Sequence, residues 1–384
     1  MPMDTTLDIA RRLSSPVGMA HRGRTRHLVL FGIGLGAAVA QAAARRFAIR
    51  YRERVGLPHR SSVIGNPADF GLAFEEVAIP SGEGELAAWF IPATRRGRPG
   101  GAAAGASTAP GRAGSSDRRP GIVILHGWES NRGRSVAHAR YLNAAGFHCL
   151  VVDVLGHGDN VPETLPVSVP EFSETAAAAA RWLSARPEVS GVGLLGHSMG
   201  GAGVVIAASR EPAVMAAASL SAPADLVRMT RQTFEMADMR LPDFVALPLA
   251  VMTARTLLAP RGHGLIDACA VAAARNYRGP LFLAHGAQDH GVPVEHLGLI
   301  AAAARAARGR ADPRVETLIL PEFGHRWLYE SPEYRRRVAR FFAESLGGPV
   351  NAGLAGRLAE ACAVERPADP DGGFGALATP ASPR

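Results

Sequence analysis

Short apolar runs alternate with amphipathic stretches along the middle of this 384-residue chain. Consecutive apolar positions predict buried strands at 121–125, 147–152, 192–195, 214–220, 281–284 and 315–320. Helical spacing predicts helices at about 134–145, 171–185, 199–210, 294–308 and 332–345. Strands that alternate with helices indicate parallel strands joined by right-handed crossovers. Because these strands are apolar at nearly every position, we expect helices to cover both faces of the sheet.

A predicted hairpin precedes these elements. Apolar runs at 74–79 and 86–91 flank the turn-forming segment Ser-Gly-Glu-Gly at 81–84. We therefore predict an α/β fold on a mostly parallel eight-stranded sheet, with helices on both faces and hairpin strands at its N-terminal side. The folded domain is predicted to cover about residues 69–348.

Three segments depart from the alternation. Residues 93–120 consist mainly of Gly, Ala, Ser, Pro and Arg, which predicts a disordered insertion. Residues 225–278 have a mostly helical pattern rich in Met, Leu and Phe. This pattern predicts a helical cap over the strand ends, and additional core helices are the alternative. Residues 349–384 are rich in Ala, Gly and Pro, which predicts a flexible C-terminal tail.

Positive charge is concentrated at the N-terminus. The formal net charge is +8, and residues 1–60 contain eleven arginines but only three acidic residues. A basic segment, 1–27, precedes the uncharged run 28–44, and the basic segment 45–68 follows it. Basic flanks on an apolar run suit lipid headgroups. We therefore predict a transmembrane or signal-anchor helix over 28–44 and a stalk over 45–68.

The length of the uncharged run leaves two alternatives to a membrane anchor. As a helix, the run reaches about 26 Å, slightly less than a hydrocarbon core of about 30 Å. Residues 38–40 and 42–44 have the small-residue pattern of signal-peptide cleavage, which would give a secreted or periplasmic protein. An amphipathic or buried helix is the other alternative. Arginines on both flanks leave the side of the membrane undecided.

Composition argues against several classes of function. Cys149, Cys269 and Cys362 are far apart, which argues against a disulfide framework and a Cys-based zinc site. His-Glu-x-x-His is absent, a chain without lysine contains no P-loop, and the first crossover lacks Gly-x-Gly-x-x-Gly. Charges after residue 60 balance, so no basic surface for nucleic acid is predicted. We therefore expect no metal, no cofactor and no nucleic-acid partner, and composition leaves the oligomeric state undecided.

A candidate nucleophile lies where a predicted strand runs directly into a helix. The motif Gly-His-Ser-Met-Gly-Gly occupies residues 196–201. A serine between glycines at such a turn adopts a cramped backbone that lifts its hydroxyl above the sheet. Gly196 and Gly200 provide the space that this turn requires. The motif alone is weak, but its position between strand and helix identifies Ser198 as the candidate nucleophile.

Three further motifs follow predicted strands. His-Gly-Trp at 126–128 places the backbone N–H of Trp128 where it can form an oxyanion hole with that of Met199. Asp289 follows one late strand and supplies an acid, and His325 follows the last strand and supplies a base. The order is Ser, Asp, His. All three lie beyond the C-terminal ends of strands, where an open parallel sheet places its site.

Each of these roles has a structural or functional alternative. Asp289 alternatively caps a helix, in which case Asp225 is the acid. His296 is the alternative base. His126 is expected to hold its own loop through a hydrogen bond rather than to transfer protons, and Gly127 is expected to support the site. The remaining polar or thiol side chains near the motifs are predicted to pack within loops or strands: Cys149, His157, His197 and His290.

These motifs together resemble the α/β-hydrolase superfamily. The resemblance is to its serine esterase, thioesterase and serine aminopeptidase-like branch, through HGW, GHSMGG and the His-Gly, Asp and Val-Pro pattern that begins at residue 285. It covers about residues 69–348 and implies the α/β-hydrolase fold with a Ser198, His325 and Asp289 triad. One position departs from the pattern, because Leu155 stands where many relatives have arginine. That departure puts substrate preference in doubt more than catalysis.

The leading hypothesis is a serine hydrolase that forms an acyl-enzyme without a cofactor. The bond cleaved is an ester, thioester or amide, with an apolar acyl group expected from the Met- and Leu-rich cap and carboxylester hydrolysis favoured over peptide hydrolysis. One alternative is a non-catalytic, membrane-tethered binding protein with the same fold. The other is an acyltransferase or peptidase with the same three residues.

Overall fold

One twisted sheet organises the chain. The computed structural model describes residues 16–82, 84–94, 118–308, 314–347 and 351–364. The sheet has eight strands in the order β1-β2-β4-β3-β5-β6-β7-β8. The strands are β1 Glu75–Ser81, β2 Gly84–Ile91, β3 Arg119–Leu125, β4 His148–Val152, β5 Val189–His197, β6 Val214–Leu220, β7 Leu281–Gly286 and β8 Val315–Leu320. Strand β2 is antiparallel to β1 and β4, and the other pairs are parallel, which confirms the predicted sheet.

Helices cover both faces of this sheet, as the apolar strands predict. The helices of the described chain are α1 Pro16–Val55, α2 Arg132–Ala144, α3 Val169–Ser184, α4 Met199–Arg210, α5 Leu226–Met236, α6 Asp243–Leu258, α7 Ala270–Asn276, α8 Glu295–Arg308, α9 Pro332–Leu346 and α10 Ala352–Ala361. Strand β3 shows how the two layers arise. Ile122 and Ile124 pack with α2 and α9, whereas Val123 and Leu125 pack with α3 and α4 on the opposite face.

Local sequence signals explain where these helices begin. The backbone N–H of Ser168 donates to Glu171 at 2.5 Å, and Pro170 occupies the first turn of α3. Ser331 caps α9 by accepting a hydrogen bond from the Tyr334 amide at 3.2 Å, again with a proline in the first turn. These contacts satisfy amides that have no partner inside the helix. The predicted starts of the five crossover helices lie within about two residues of the observed ones.

The interval 225–278 contains three α-helices that pack in different places. Helices α5 and α6 pack against each other beside the strand ends. Helix α7 instead packs on α4 and α8, and Ala270 and Ala274 are buried in the core there. This last part of the predicted cap therefore belongs to the core layer. Among the side chains that the structure describes, the stretch Asp243–Arg261 is long and apolar enough to cross a membrane, with a mean hydropathy of 1.3 and 33% of it buried.

The N-terminal helix corrects the predicted stalk. Helix α1 includes the predicted span 28–44 and continues without a break through Val55, and its side chains are described from residue 34 onward. Its last turns pack on α6, and Ala48 is fully buried. The carbonyl oxygens of Ser61 and Ser62 then accept hydrogen bonds from the side-chain Nδ2 of Asn131, which ties the segment after α1 to the domain. The prediction of a stalk over 45–68 was wrong. The arginines in this segment alternate with apolar residues, so the sequence does not show clearly that one face of the helix is apolar.

The C-terminal segment is also more ordered than predicted. Residues 352–361 form α10, which packs on α9 with Ala355 and Ala359 buried. The prediction of a flexible tail from residue 349 was therefore wrong for these residues, because alanines and glycines allow close helix packing. Most of the predicted insertion, 95–117, and the end of the chain, 365–384, lie outside the described residues.

The guanidinium of Arg335 connects α10 to the domain. Buried on α9, Arg335 donates to the carbonyl oxygens of Ala359 and Glu360 at 3.0 and 2.9 Å, and to those of Tyr329 and Glu330 at 2.7 and 3.0 Å. Four carbonyl groups therefore share one charged donor. Because the site is buried, these carbonyl groups would lack hydrogen-bond partners without the guanidinium.

We predict that Arg335→Met lowers the free energy of unfolding by about 2–3 kcal/mol, because buried carbonyl groups lose a charged donor. Urea denaturation of the full-length protein measures the change. Arg340→Gln is the matched control, since Arg340 lies on the same helix, is exposed and pairs only with Glu344 among the described residues. Equal midpoints for both variants and the parent would contradict the prediction.

Candidate active site

The turn at Ser198 has a strained backbone. Strand β5 ends at His197, Ser198 has φ 57° and ψ −122°, and α4 begins at Met199. Non-glycine residues rarely adopt a positive φ, and such strain persists only where the surroundings hold it. The Ser198 N–H donates to the Leu220 carbonyl at 2.8 Å. A Cβ atom at Gly196 would collide with the Gly200 backbone, so only glycine fits there.

Three of the predicted residues converge at this turn. His325 Nε2 lies 3.0 Å from Ser198 Oγ. His325 Nδ1 lies 2.7 Å from Asp289 Oδ2. Asp289 follows β7 and His325 follows β8, so neighbouring parallel strands deliver both loops to the edge where β5 ends. The arrangement provides a continuous hydrogen-bonded path from a hydroxyl through an imidazole to a carboxylate.

Asp225 and His296, the alternative acid and base, make other contacts. Asp225 accepts a hydrogen bond from the Arg228 amide at 2.9 Å and caps α5. His296 Nδ1 accepts a hydrogen bond from the Ala224 amide at 2.9 Å. The carbonyl of His290 accepts a 3.4 Å hydrogen bond from Gln232. Their contacts are therefore with cap and loop groups rather than with Ser198.

Buried donors surround the carboxylate of Asp289. Oδ1 accepts hydrogen bonds from the amides of Gly291 and Val292 at 3.0 and 2.8 Å. Oδ2 lies 2.7 Å from His325 Nδ1 and 3.1 Å from His285 Nε2. Burial raises the pKa of Asp289, but the hydrogen bonds from both histidines and the Val292 amide outweigh it and hold the pKa well below the usual range. Asp289 is therefore ionised at neutral pH.

Two supporting histidines have roles that sequence reasoning did not assign. His197 Nε2–H donates to the carbonyl of His325 at 2.7 Å, and the two rings lie 4.9 Å apart. Desolvation lowers the pKa of His197 to about 3, so it remains a neutral donor. His285 Nε2 lies 2.7 Å from the Val292 carbonyl as well as near Asp289. His197 and His285 lie at the C-terminal ends of β5 and β7, next to the site. That position is the feature of the sequence that could have indicated a supporting role.

The His126-Gly127-Trp128 loop lies directly against Ser198. A Cβ atom built on Gly127 would lie 3.0 Å from Ser198 Cβ. His126 Nδ1–H donates to the Gly127 carbonyl at 2.7 Å, and Nε2 accepts from the Val154 amide at 3.0 Å. Burial lowers the pKa of His126 to about 4, so the ring stays neutral and holds this loop, as predicted. Within the described residues, the backbone N–H groups of Trp128 and Met199 have no hydrogen-bond acceptor.

Comparisons with known proteins agree with this fold. The profile of the serine aminopeptidase family S33 matches residues 116–245. The human protein ABHD12B is 26% identical over 237 residues, which cover 59% of this chain and 62% of that protein, less than two thirds of its length. The structure of the Pyrococcus furiosus esterase Pf2001 superposes with a TM-score of 0.55 and 20% identity, over 76% of this chain and 100% of that chain.

A larger enzyme contains the same fold. The Pyrococcus horikoshii acylaminoacyl peptidase superposes with a TM-score of 0.50 and 16% identity, over 72% of this chain and 42% of that chain. The chain has the α/β-hydrolase fold. Both an esterase and a peptidase therefore share this architecture.

Buried contacts hold the loop that contains Leu155. Leu155 is buried in the core, and it is not among the described residues that line the cavity beside Ser198. The nearby carboxylate of Asp153 is fully buried and pairs with the guanidinium of Arg132, which enters from the start of α2. The Arg132 and Asp159 amides also donate to Asp153, at 2.6 and 3.0 Å. An arginine from another element thus pairs with both aspartates of this loop.

A cavity of about 590 Å³ opens beside Ser198 and His325. Its walls include the sheet edge with Trp128, helix α5 and the following loop, the end of α1, and residues of α2, of α6 and of the segment after His325. The apolar side chains that line it include Phe47, Tyr51, Trp128, Met199, Met229, Phe234, Met236, Met239 and Leu257. The contribution of α1 was not foreseen from the sequence. Such a cavity suits a ligand with a substantial apolar part.

Proposed function

We propose that this α/β hydrolase cleaves carboxylic esters with an apolar acyl group through Ser198. The observation that carries the proposal is the 3.0 Å and 2.7 Å pair of contacts that links Ser198 through His325 to ionised Asp289, at the floor of an apolar cavity. The partial match to the serine aminopeptidase profile and the fold shared with an esterase and a peptidase support a serine hydrolase in general.

The proposed mechanism uses residues of this chain alone. His325 removes the proton of Ser198 as Oγ attacks the ester carbonyl, and the negative charge of Asp289 stabilises the resulting imidazolium. The backbone N–H groups of Met199 and Trp128 stabilise the oxyanion. His325 then gives the proton to the departing alcohol, and a water molecule activated by the same histidine releases the acid from the acyl-enzyme.

The charges around the cavity favour an ester over a peptide with a free amino terminus. An aminopeptidase needs a carboxylate to receive the positive amino group of its substrate. The charged side chains that line the described cavity are Arg50, Arg54, Glu129, Arg134 and Arg326. The one carboxylate among them, Glu129, already accepts a hydrogen bond from the His59 amide at 3.1 Å. This basic lining would repel an ammonium group.

Helix α1 provides the proposed attachment to a membrane. The uncharged run 28–44 lies within it, and Leu35 and Val39 on that run are 57% and 62% exposed. Exposed apolar side chains between basic flanks favour a lipid environment. The apolar stretch of α6 has exposed members as well, notably Phe244 at 80%.

We predict that a fluorophosphonate probe labels the wild-type protein at Ser198 and that Ser198→Ala abolishes both labelling and hydrolysis of p-nitrophenyl esters, with rates reduced at least about 10³-fold. The measurements are mass spectrometry of the labelled peptide and release of p-nitrophenol. Ser221→Ala, at another buried serine after a strand, is the matched control and should retain activity.

Equal labelling of wild type and Ser198→Ala would refute the serine-hydrolase proposal. Ligand-dependent stabilisation without turnover on acyl substrates would favour a non-catalytic binding protein. Preferential acyl transfer to an added alcohol over water would favour an acyltransferase.

We predict that the protein is attached to a membrane through α1. Full-length protein should remain in the membrane pellet after a carbonate wash, whereas the double variant Leu35→Arg/Val39→Arg should move to the supernatant, because each buried charge costs about 2.5–3.5 kcal/mol or more in a bilayer. Leu57→Arg, at an exposed position beyond the helix, is the control and should stay in the pellet. Wild-type protein in the supernatant would contradict the attachment.

A further inference from the structure

The end of α1 forms part of the wall of the substrate cavity. Phe47 and Tyr51 lie one helical turn apart, on the same face of α1, and both line the cavity that contains Ser198. Their aromatic contacts run to Phe234 on α5, at ring-centroid distances of 5.6 and 6.0 Å. The Tyr51 hydroxyl lies 2.7 Å from Thr233 Oγ1 on the same helix. A segment outside the sheet and its crossovers therefore completes the apolar wall.

These rings bring hydrophobic surface rather than reactive groups. Phe47 and Tyr51 line the cavity together with Met229 and Phe234 of α5, and both rings contact the ring of Phe234. Burial raises the pKa of Tyr51, which keeps its hydroxyl protonated and available for the hydrogen bond to Thr233. An apolar chain that extends from an ester carbonyl at Ser198 gains contact area when it reaches this wall, whereas a two-carbon acyl group is too short to use it.

We propose that Phe47 and Tyr51 are specificity-determining residues that select substrates with a long apolar acyl chain over those with a short one. This inference rests on the proposed esterase function and specifies its substrate class. Because both residues belong to the helix that includes the predicted membrane span, the wall of the cavity and the proposed attachment are parts of one continuous helix. Long-chain esters of the kind found in lipids are therefore the substrates this arrangement favours.

The test compares esters of increasing acyl length on the full-length protein. For Phe47→Ala, we expect kcat/KM for p-nitrophenyl decanoate to fall about 10-fold, while kcat/KM for p-nitrophenyl acetate stays within about twofold. Phe47→Leu retains much of the volume and should show a smaller loss of the same kind. Tyr51→Phe retains the ring and should keep the long-chain preference, whereas Tyr51→Ala should lose it.

Two controls separate this inference from structural effects. Glu53→Gln changes an exposed residue of the same helix that is not part of the cavity lining, and it should leave both esters unaffected. Thermal melting and the rate of fluorophosphonate labelling at Ser198 report folding and nucleophile reactivity for every variant. Both readouts should match the wild type in the variants used.

The outcomes distinguish this inference from the proposed function. A wild-type protein without labelling or ester hydrolysis overturns the proposed function. A labelled, active wild type whose Phe47 and Tyr51 variants lose decanoate and acetate hydrolysis equally, or lose neither, overturns the specificity role alone. A selective loss of long-chain hydrolysis with unchanged labelling supports it.

Discussion

The buried carboxylate of Asp289 is the interaction on which the arrangement of the site depends. A charge in the protein interior is stable only when donors surround it, because desolvation otherwise costs several kcal/mol. Two backbone amides and two imidazole rings supply those donors. Meeting this requirement joins the loop after β7 to the loop after β8, and the joined loops point His325 toward Ser198. His197 supports the same loop from the end of β5 through the carbonyl of His325.

The sheet provides the opposite side of the site. Parallel strands β5, β7 and β8 end at one edge, so a residue just beyond each strand needs only a short loop to reach the others. Ser198 reaches outward because its backbone is held at positive φ between close-packed glycines and the Leu220 carbonyl. The strain at that turn is therefore maintained by β6 and by the His126 loop, which are themselves buried. Sheet packing, rather than local preference, keeps the hydroxyl in place.

The sequence predicts the central part of this structure well for a physical reason. Strands covered on both faces must be apolar throughout, so runs such as 121–125 stand out, and glycines at 196 and 200 mark a turn that no larger residue can form. Helix α10 and the packed end of α1 were harder to foresee. Their buried faces consist largely of alanine, or of single aromatic residues such as Phe47 and Tyr51 between arginines, and hydrophobic periodicity is weak there. The contribution of α1 to the cavity depends on its contact with α5, where Tyr51 meets Thr233 across 182 positions of sequence. A local sequence pattern cannot reveal a contact of this kind.

In the proposed mechanism Asp289 is the acid that orients His325, whereas Asp225 caps α5. Steady-state hydrolysis of one p-nitrophenyl ester by Asp289→Asn and Asp225→Asn measures this directly. An amide at residue 289 no longer favours the tautomer with a proton on Nδ1, so the account predicts a loss of about 10³–10⁴ in kcat with little change in KM. Asp225→Asn should retain nearly full kcat. A reversed pattern, or full activity in Asp289→Asn, would contradict the account.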